Sequence, residues 1–281
     1  MVVSDVHLGT YGCHATELLR YLKSIKPKVL VLNGDIVDIW QFSKSYWPAP
    51  HMRVVRHLAG LAAKGTHIHY LTGNHDELLR KFAGTCLGHF RIDNKLVLDL
   101  PHGKTWLFHG DVFDVTMQHS RWLAKLGAKG YDLLVLINRM VNWGLYRLGR
   151  PRVALSKAVK DRVKSAVSLV SDFEQTAATI AADQGYAYVA CGHIHCPEIR
   201  SVSTSQGDVV YLNSGDWVEN LTALEYTAKA GWQLYRYAND PRMAQAAPNS
   251  PEEVDEDDSA ADMPVATLLD GLLAEFRLRR L

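Results

Sequence analysis

Five short groups of metal-ligating residues occur along the chain, and each directly follows an apolar run of strand type. They combine aspartate, histidine and asparagine, which bind divalent transition metals through oxygen and nitrogen. Because ligands in open α/β sheets lie beyond the carboxyl ends of strands, the recurrence predicts one site supplied by five loops. The groups are Asp5-Val6-His7, Gly34-Asp35, Gly73-Asn74-His75-Asp76, His109-Gly110-Asp111 and Gly192-His193-Ile194-His195.

Asp35 is the residue on which these groups are expected to converge. Residues 29–32 are apolar and predict a short buried strand, and Asp35 follows it after Asn33-Gly34. Two divalent metals roughly 3.5–4 Å apart can clamp a phosphoryl displacement, and a bridging carboxylate would partly cancel their charges. Such metals lower the pKa of bound water from roughly 15.7 to 7, which supplies hydroxide at neutral pH. The predicted chemistry is phosphoryl hydrolysis with Asp35 as the bridge.

Each group also has an ordinary structural explanation when it is taken alone. Gly-Asp and Gly-Asn-His-Asp are good turn sequences, and a single His-x-His is compatible with a surface pair. All five groups occur in this chain, each after an apolar run. This coincidence favours a metal site over five unrelated turns.

The elements that must position these loops alternate between strands and helices, which predicts an α/β fold. Helical apolar spacing is found at 16–25 and at 51–64, and Gly65 closes the second helix. Only two apolar residues follow Met1, so the first strand is expected to be short or to continue upstream. Further strands are predicted at 67–71, 96–100, 104–108, 186–190, 209–212 and 231–237.

Residues 112–184 interrupt this alternation and contain no strand candidates. Helical apolar spacing predicts helices there at about 120–127, 131–148, 155–170 and 172–183. Between 117 and 170, eleven Lys/Arg and two Asp give a local net charge of +9. Basic residues edging an apolar stretch are typical of an element that lies on an anionic lipid surface. Lid helices with a solvated basic face explain the same pattern. The interleaved aliphatic residues disfavour nucleic acid as the partner.

The bulk composition is that of a globular protein, with 281 residues, 47% hydrophobic residues and a formal net charge of +1. Four cysteines without a Cys-x-x-Cys pair indicate a reducing, cytoplasmic setting. No signal peptide or apolar run of membrane-spanning length is visible. The predicted organisation is a core at 1–111 and 185–238, a helical insertion at 112–184, an acidic linker at 239–262 and an amphipathic helix at 263–281.

This set of motifs resembles the calcineurin-like metallophosphoesterases. The resemblance implies a four-layer αββα sandwich that holds two divalent metal ions, Mn²⁺ first, with Fe or Zn as alternatives. It further implies that His75 faces the phosphate and that Asp76 orients His75, while Asp111 lies behind the ligands. The implied ligands are Asp5, His7, Asp35 and His195 for one metal, and Asp35, Asn74, His109 and His193 for the other.

The motif order, the insertion after His109-Gly110-Asp111 and the segment 213–217 are similar to a narrower family, the UDP-2,3-diacylglucosamine pyrophosphohydrolases of lipid A biosynthesis. The similarity covers about residues 1–237. It implies cleavage of a nucleotide-linked lipid at its pyrophosphate, giving UMP and a lipid monophosphate, with the insertion receiving the acyl chains. The implied location is cytoplasmic and peripheral, on the inner face of the inner membrane. The best-characterised branch has Arg where this chain has His75.

Several side chains outside the ligand set are candidate substrate contacts. The aromatic cluster of Trp40, Phe42, Tyr46 and Trp47 is either a substrate wall or a packed loop. Arg80 is either a phosphate contact or a surface charge on a helix. The candidates are Trp40, Arg80, Lys157, Lys160, Lys164, Asp216 and Trp217.

Three functions are compatible with these sequence patterns. The first is a dinuclear pyrophosphohydrolase acting on a UDP-linked lipid at a membrane surface. The second is a soluble phosphodiesterase or phosphomonoesterase of the same fold that acts on nucleotides. The third is a non-catalytic membrane-associated interaction protein, which the complete ligand set argues against.

Overall fold

The computed structural model describes residues 1–40, 46–114 and 156–244. The chain divides into two compact units, Met1–Met243 and Ala244–Leu281. Every predicted metal ligand belongs to the first unit. The predicted helical stretches at 120–127 and 131–148 and the predicted helix at 263–281 lie outside the described residues.

Seven strands form the first sheet, in which the apolar runs before the Asp5, Asp35 and Asn74 loops become neighbouring parallel strands. The order is β12-β11-β1-β2-β3-β5-β4, with β1, β2, β3 and β5 parallel. These strands are β1 (Val2–Val3), β2 (Val29–Asn33), β3 (His67–Leu71), β4 (Cys86–Leu87), β5 (Phe90–Asp93), β11 (Thr222–Thr227) and β12 (Gly231–Arg236).

Five strands form the second sheet, in the order β6-β7-β8-β10-β9, with β7, β8 and β10 parallel. Val31 and Leu71 of the first sheet pack in one apolar layer with Leu107, Ala190 and Leu212 of the second. The two sheets are therefore joined face to face. The strands are β6 (Lys95–Leu100), β7 (Gly103–Phe108), β8 (Tyr188–Cys191), β9 (Glu198–Thr204) and β10 (Gly207–Asn213).

Helices cover the outer face of each sheet. Helices α1 (Ala15–Lys23) and α2 (Ala49–Ala63) place Leu18 and Val54 in the core of the first sheet. Helix α3 (Ser156–Asp183) packs Phe173 against the second sheet. The layers run helix, sheet, sheet, helix, which confirms the predicted αββα sandwich. Shorter helical turns span Glu77–Phe82, Asp111–Asp114, Tyr237–Asn239 and Pro241–Ala244.

The structure differs from the sequence expectation in the insertion and in four strands. The stretches predicted at 155–170 and 172–183 are one helix, α3. Its Phe173, Ala177 and Ala181 are buried on the second sheet, so this part of the predicted insertion belongs to the outer core layer. Strands β4, β5, β9 and β11 were not predicted. Strands β4 and β5 are short, β9 buries one position in seven, and in β11 the charged Glu225 follows the three buried residues. None of them therefore presents a long apolar run in the sequence.

Candidate metal centre

The candidate ligands lie where parallel strands of both sheets end. Strands β1, β2 and β3 supply loops from the first sheet, and β7 and β8 supply loops from the second. Since neighbouring parallel strands end at the same edge, residues far apart in the chain meet there. In chain order these loops carry Asp5 and His7, Asp35, Asn74 and His75, His109, and His193 and His195.

Three groups of ligand atoms form at this edge, each with all its atoms within 4.8 Å of one another. Asp35 and His7 each lie in two of the groups, so these two side chains link the three groups into one cluster. Asp35 Oδ2 is 3.2 Å from His109 Nε2, and Asp5 Oδ1 is 3.1 Å from His195 Nε2. The groups are Asp5, His7 and His195; His7, Asp35 and His75; and Asp35, His109 and His193.

Two buried polar atoms of the cluster test whether metal ions fit. His7 Nε2 and Asn74 Oδ1 are buried and make no hydrogen bond within the described part of the chain. Leaving a buried acceptor unsatisfied costs about 1–3 kcal/mol. A metal ion would satisfy both atoms, and the mixture of imidazole, carboxylate and amide oxygen suits Mn, Fe or Zn. The residues therefore fit divalent metals.

In His7 and His109 the other ring nitrogen, Nδ1, is held by a carboxylate or carbonyl oxygen. His109 Nδ1 lies 2.8 Å from the carbonyl oxygen of Asn33, and His7 Nδ1 lies 3.3 Å from Asp38 Oδ2. Metal-binding histidines commonly donate their second N–H in this way, which fixes the ring and leaves the opposite nitrogen for the metal.

Five candidate ligands have left-handed backbone conformations. Their φ angles lie between 52° and 66°, in a region that few non-glycine residues adopt. Each such residue costs on the order of 1–3 kcal/mol and persists only when its surroundings impose it. Clusters of this kind mark functional sites. The residues are Asp5, His7, Asp35, His193 and His195.

Two glycines allow the loops to approach Asp35 and His109. A β-carbon at Gly73 would collide with Asp35 Oδ1, and one at Gly34 would collide with the His109 ring. Gly34 also has a φ of 83°, which favours glycine. Only glycine fits at these two positions, because ligand atoms occupy the space that a β-carbon would need.

The buried charges of the metal-free cluster stabilise one another. Burial alone would lower the pKa of His109, but the carboxylates of Asp5 and Asp35 outweigh it and raise that pKa to about 10. Burial would raise the pKa of Asp35, but His109 outweighs it and the pKa falls below its usual value. His109 thus carries a proton at neutral pH that a metal would have to displace.

A family model matches the part of the sequence that contains the whole cluster. The model for calcineurin-like phosphoesterases matches residues 1–197, which is most of the chain. The chain belongs to the calcineurin-like phosphoesterase family. The resemblance to the calcineurin-like metallophosphoesterases is therefore confirmed, and the protein is a hydrolase of the metallophosphoesterase type.

Relatives of this phosphoesterase include proteins named UDP-2,3-diacylglucosamine hydrolase. One from Aliivibrio fischeri is 22% identical over 82% of this chain and 95% of its own length. One from Nitrosococcus oceani is 27% identical over 80% of this chain and 90% of its own length. Among solved structures, an archaeal phosphodiesterase aligns with 84% of this chain and 97% of its own at 13% identity and a TM-score of 0.40.

His75 of the phosphoesterase lies beside the candidate ligands and is held by Asp38. Its Nδ1 is 2.8 Å from Asp38 Oδ2, the same oxygen that faces His7. Its ring meets the His7 ring edge to face, with centroids 4.7 Å apart. Sequence reasoning gave Asp38 no role, although its place three residues after Asp35 in the same loop was an available signal.

The prediction that Asp76 orients His75 is wrong. Asp76 is fully buried and accepts hydrogen bonds from the Tyr70 hydroxyl at 2.6 Å and from the backbone N–H groups of Gly73 and Ile36 at 2.6 and 3.0 Å. These donors occupy its carboxylate. Asp76 therefore ties the Asn74 loop to the Asp35 loop, and the carboxylate that contacts His75 is that of Asp38.

The expected substrate contacts at Asp216 and Trp217 are also wrong. Asp216 is buried, and its carboxylate accepts the N–H of Val218 at 2.8 Å and lies 3.9 Å from His195 Nδ1. Trp217 is fully buried and stacks on Tyr21 with centroids 5.5 Å apart. Asp216 therefore supports the His195 loop, and Trp217 belongs to the core.

The remaining candidate contacts have mixed outcomes. Trp40 is 52% exposed and lies against the His75 ring. Arg80 forms an ion pair with Asp111, so its charge is already partnered. The side chains of Lys157, Lys160 and Lys164 and all of Phe42 lie outside the described residues.

We predict that Gly73→Ala destroys metal binding, because its methyl group would displace the Asp35 carboxylate. Purified protein should contain little bound Mn²⁺ by elemental mass spectrometry. Gly60→Ala is the matched control, since its β-carbon in α2 meets nothing within 4 Å. That control should keep its metal and gain about 0.5–1 kcal/mol in free energy of unfolding. Full metal content in Gly73→Ala would contradict the packing argument.

We also predict that Mn²⁺ binding releases a proton and tightens with pH. The raised pKa of His109, about 10, means that the metal competes with a proton throughout the neutral range. One released proton corresponds to about a tenfold gain in affinity per pH unit between pH 6.5 and 7.5. Calorimetry in two buffers of different ionisation enthalpy measures the release directly. His102→Ala, an exposed histidine that contacts Tyr226, should leave the slope unchanged. A pH-independent affinity would refute the assignment.

Proposed function

We propose that this phosphoesterase hydrolyses the pyrophosphate of UDP-2,3-diacylglucosamine, releasing UMP and an acylated sugar monophosphate. The observation that carries the proposal is the convergence of histidines, carboxylates and an asparagine on Asp35. The names and coverage of the curated relatives support this substrate.

The proposed ligand sets divide the cluster into two metal sites that share Asp35. Asp5, His7 and His195 complete one set, and Asn74, His109 and His193 complete the other. Bound divalent metals would supply Lewis-acid charge and an activated water, as in other two-metal phosphoesterases. Mn²⁺ is the proposed metal, with Fe or Zn as alternatives.

His75 is proposed to act as the general acid that protonates the leaving group. Asp38 accepts the N–H of His75 Nδ1, so the proton at stake is on Nε2. In this role His75 faces the phosphate, and Nε2 donates its proton to the departing phosphate oxygen as the P–O bond breaks. Asp38 would keep the ring aimed at the phosphate.

The basic insertion is proposed to cap the site, receive the acyl chains and contact an anionic membrane surface on its cytoplasmic side. Its charge of +9 between 117 and 170 supports this. Lys157, Lys160 and Lys164 are proposed to contact the diphosphate. No helix in the described ranges is long and apolar enough to cross a bilayer.

The second candidate is a phosphodiesterase or phosphomonoesterase that acts on soluble nucleotides. The observation that favours it is His75, which stands where the best-characterised lipid branch has Arg. The two candidates share the metal chemistry and differ only in what the substrate carries beyond its phosphate.

A turnover panel with Mn²⁺ tests the substrate. It compares UDP-2,3-diacylglucosamine, a UDP-sugar without acyl chains, a cyclic nucleotide and p-nitrophenyl phosphate. Each buried CH₂ contributes about 0.8 kcal/mol, so two acyl chains should raise kcat/KM by well over tenfold. Asp35→Asn should be inactive on all four, which shows that the activity comes from this site. A preference for substrates without acyl chains would refute the lipid substrate.

His75→Ala should lower kcat by about 10²–10⁴-fold, the range expected when a general acid is lost. Its metal content should match that of the wild type, because His75 is not a proposed ligand. The control is His89→Ala, an exposed histidine in the turn before β5, which should keep full activity. Loss of metal in His75→Ala would show that His75 is a ligand instead.

A further inference from the structure

Trp40 presents an exposed indole next to the proposed proton donor. Its ring centroid is 4.7 Å from that of His75, with an angle of 34° between the planes. In spite of this contact, 52% of the side chain stays exposed. Large exposed aromatic surfaces next to a polar site commonly bind ligands. One part of the indole is thus fixed by the protein, and the rest is open.

The backbone before Trp40 is anchored to the same loop as His75. The Ile39 N–H lies 3.0 Å from the His75 carbonyl oxygen and 3.1 Å from that of Val37. The His75 N–H in turn donates to Asp35 Oδ1 at 2.8 Å. The backbone that leads into Trp40 is therefore tied to the loop of His75 and, through it, to Asp35.

We propose that the open part of the Trp40 indole stacks on the nucleobase of the substrate. This inference rests on the proposed function, in which His75 faces a phosphate that joins a nucleotide to a sugar lipid. The base is separated from that phosphate by one ribose, and Trp40 is the side chain packed directly beside His75. The flat indole extends the aromatic surface outwards from His75, and a planar base can stack on such a surface.

Stacking explains the exposure of Trp40 better than acyl-chain binding does. A lipid chain gains affinity when a concave apolar surface removes it from water on all sides. A half-exposed indole offers only one flat surface. A base needs no more, because aromatic stacking contributes about 1–3 kcal/mol per base from one face. The sugar ring is the remaining alternative partner of the indole, and separate phosphomonoesters of the base and of the sugar distinguish the two.

The test measures binding of three phosphomonoesters to the full chain with Mn²⁺ by calorimetry. UMP carries the base, ribose 5-phosphate is the same ester without it, and glucosamine 1-phosphate represents the sugar half. The wild type should bind UMP about 5- to 150-fold more tightly than ribose 5-phosphate, the range for one stacked base. Trp40→Ala should bring this ratio close to one, and Trp40→Phe should restore part of it.

Leu87→Ala is the matched control, because Leu87 on β4 is 51% exposed, nearly as exposed as Trp40. It should keep the full UMP preference. An unchanged ratio in Trp40→Ala, or a wild-type ratio near one, would overturn the proposal. A Trp40→Ala effect confined to glucosamine 1-phosphate would also overturn it, in favour of the sugar.

The proposed function can fail separately in the same preparations. They are also assayed with UDP-2,3-diacylglucosamine. A UMP preference that depends on Trp40, without turnover of the lipid, would keep the base site and refute the lipid reaction. Turnover of the lipid, with no effect of Trp40→Ala on the ratio of UMP to ribose 5-phosphate affinity, would keep the lipid reaction and refute the base site.

Discussion

The hydrogen bonds that join the loops after β1 and β2 are the constraint on which the whole centre depends. The Asp5 N–H donates to the Gly34 carbonyl at 3.1 Å, and the His7 N–H donates to the Asp35 carbonyl at 2.9 Å. These bonds hold Asp5, His7 and Asp35 in left-handed conformations that an isolated loop would leave. The parallel pairing of β1 with β2 sets the register in which they form. Metal binding therefore starts from a preorganised backbone, and folding has already met the cost of the strained conformations.

The second sheet completes the centre through the packing of α3. Phe173 of this helix occupies the space that a side chain at Gly110 would need, and its ring centroid is 6.5 Å from that of His193. The His109 and His193 loops thus rest on the same buried aromatic ring. Helix α3 is the last part of the segment that follows the His109 loop. Its packing on the second sheet therefore connects the outer helical layer to the candidate ligands.

Asp38 joins the metal centre to the proposed proton chemistry. One of its oxygens lies 3.3 Å from His7 Nδ1 and 2.8 Å from His75 Nδ1. A single buried carboxylate therefore orients both a candidate ligand and the candidate general acid. Movement of either ring changes the hydrogen bond available to the other. In this arrangement the position of His75 depends on the geometry of the ligands, although His75 is not assigned as one of them.

The sequence by itself predicted an α/β fold and the candidate ligands, because apolar runs followed by Asp, His or Asn are local patterns. The resemblance to the metallophosphoesterases added the αββα layering. It also singled out Asp35 as the predicted bridge, because this carboxylate follows the buried strand at 29–32 directly after Asn33-Gly34. Tertiary structure decided the partners of each side chain. Asp76 was expected to orient His75 and Asp216 to contact substrate. Instead the Tyr70 hydroxyl and the N–H groups of Gly73 and Ile36 bind the Asp76 carboxylate, and the N–H of Val218 binds that of Asp216. Trp217 follows a loop yet lies in the core, and Asp38 reaches His75 from 37 residues away. Such pairings depend on how loops fold over one another, and no periodicity along the chain records that.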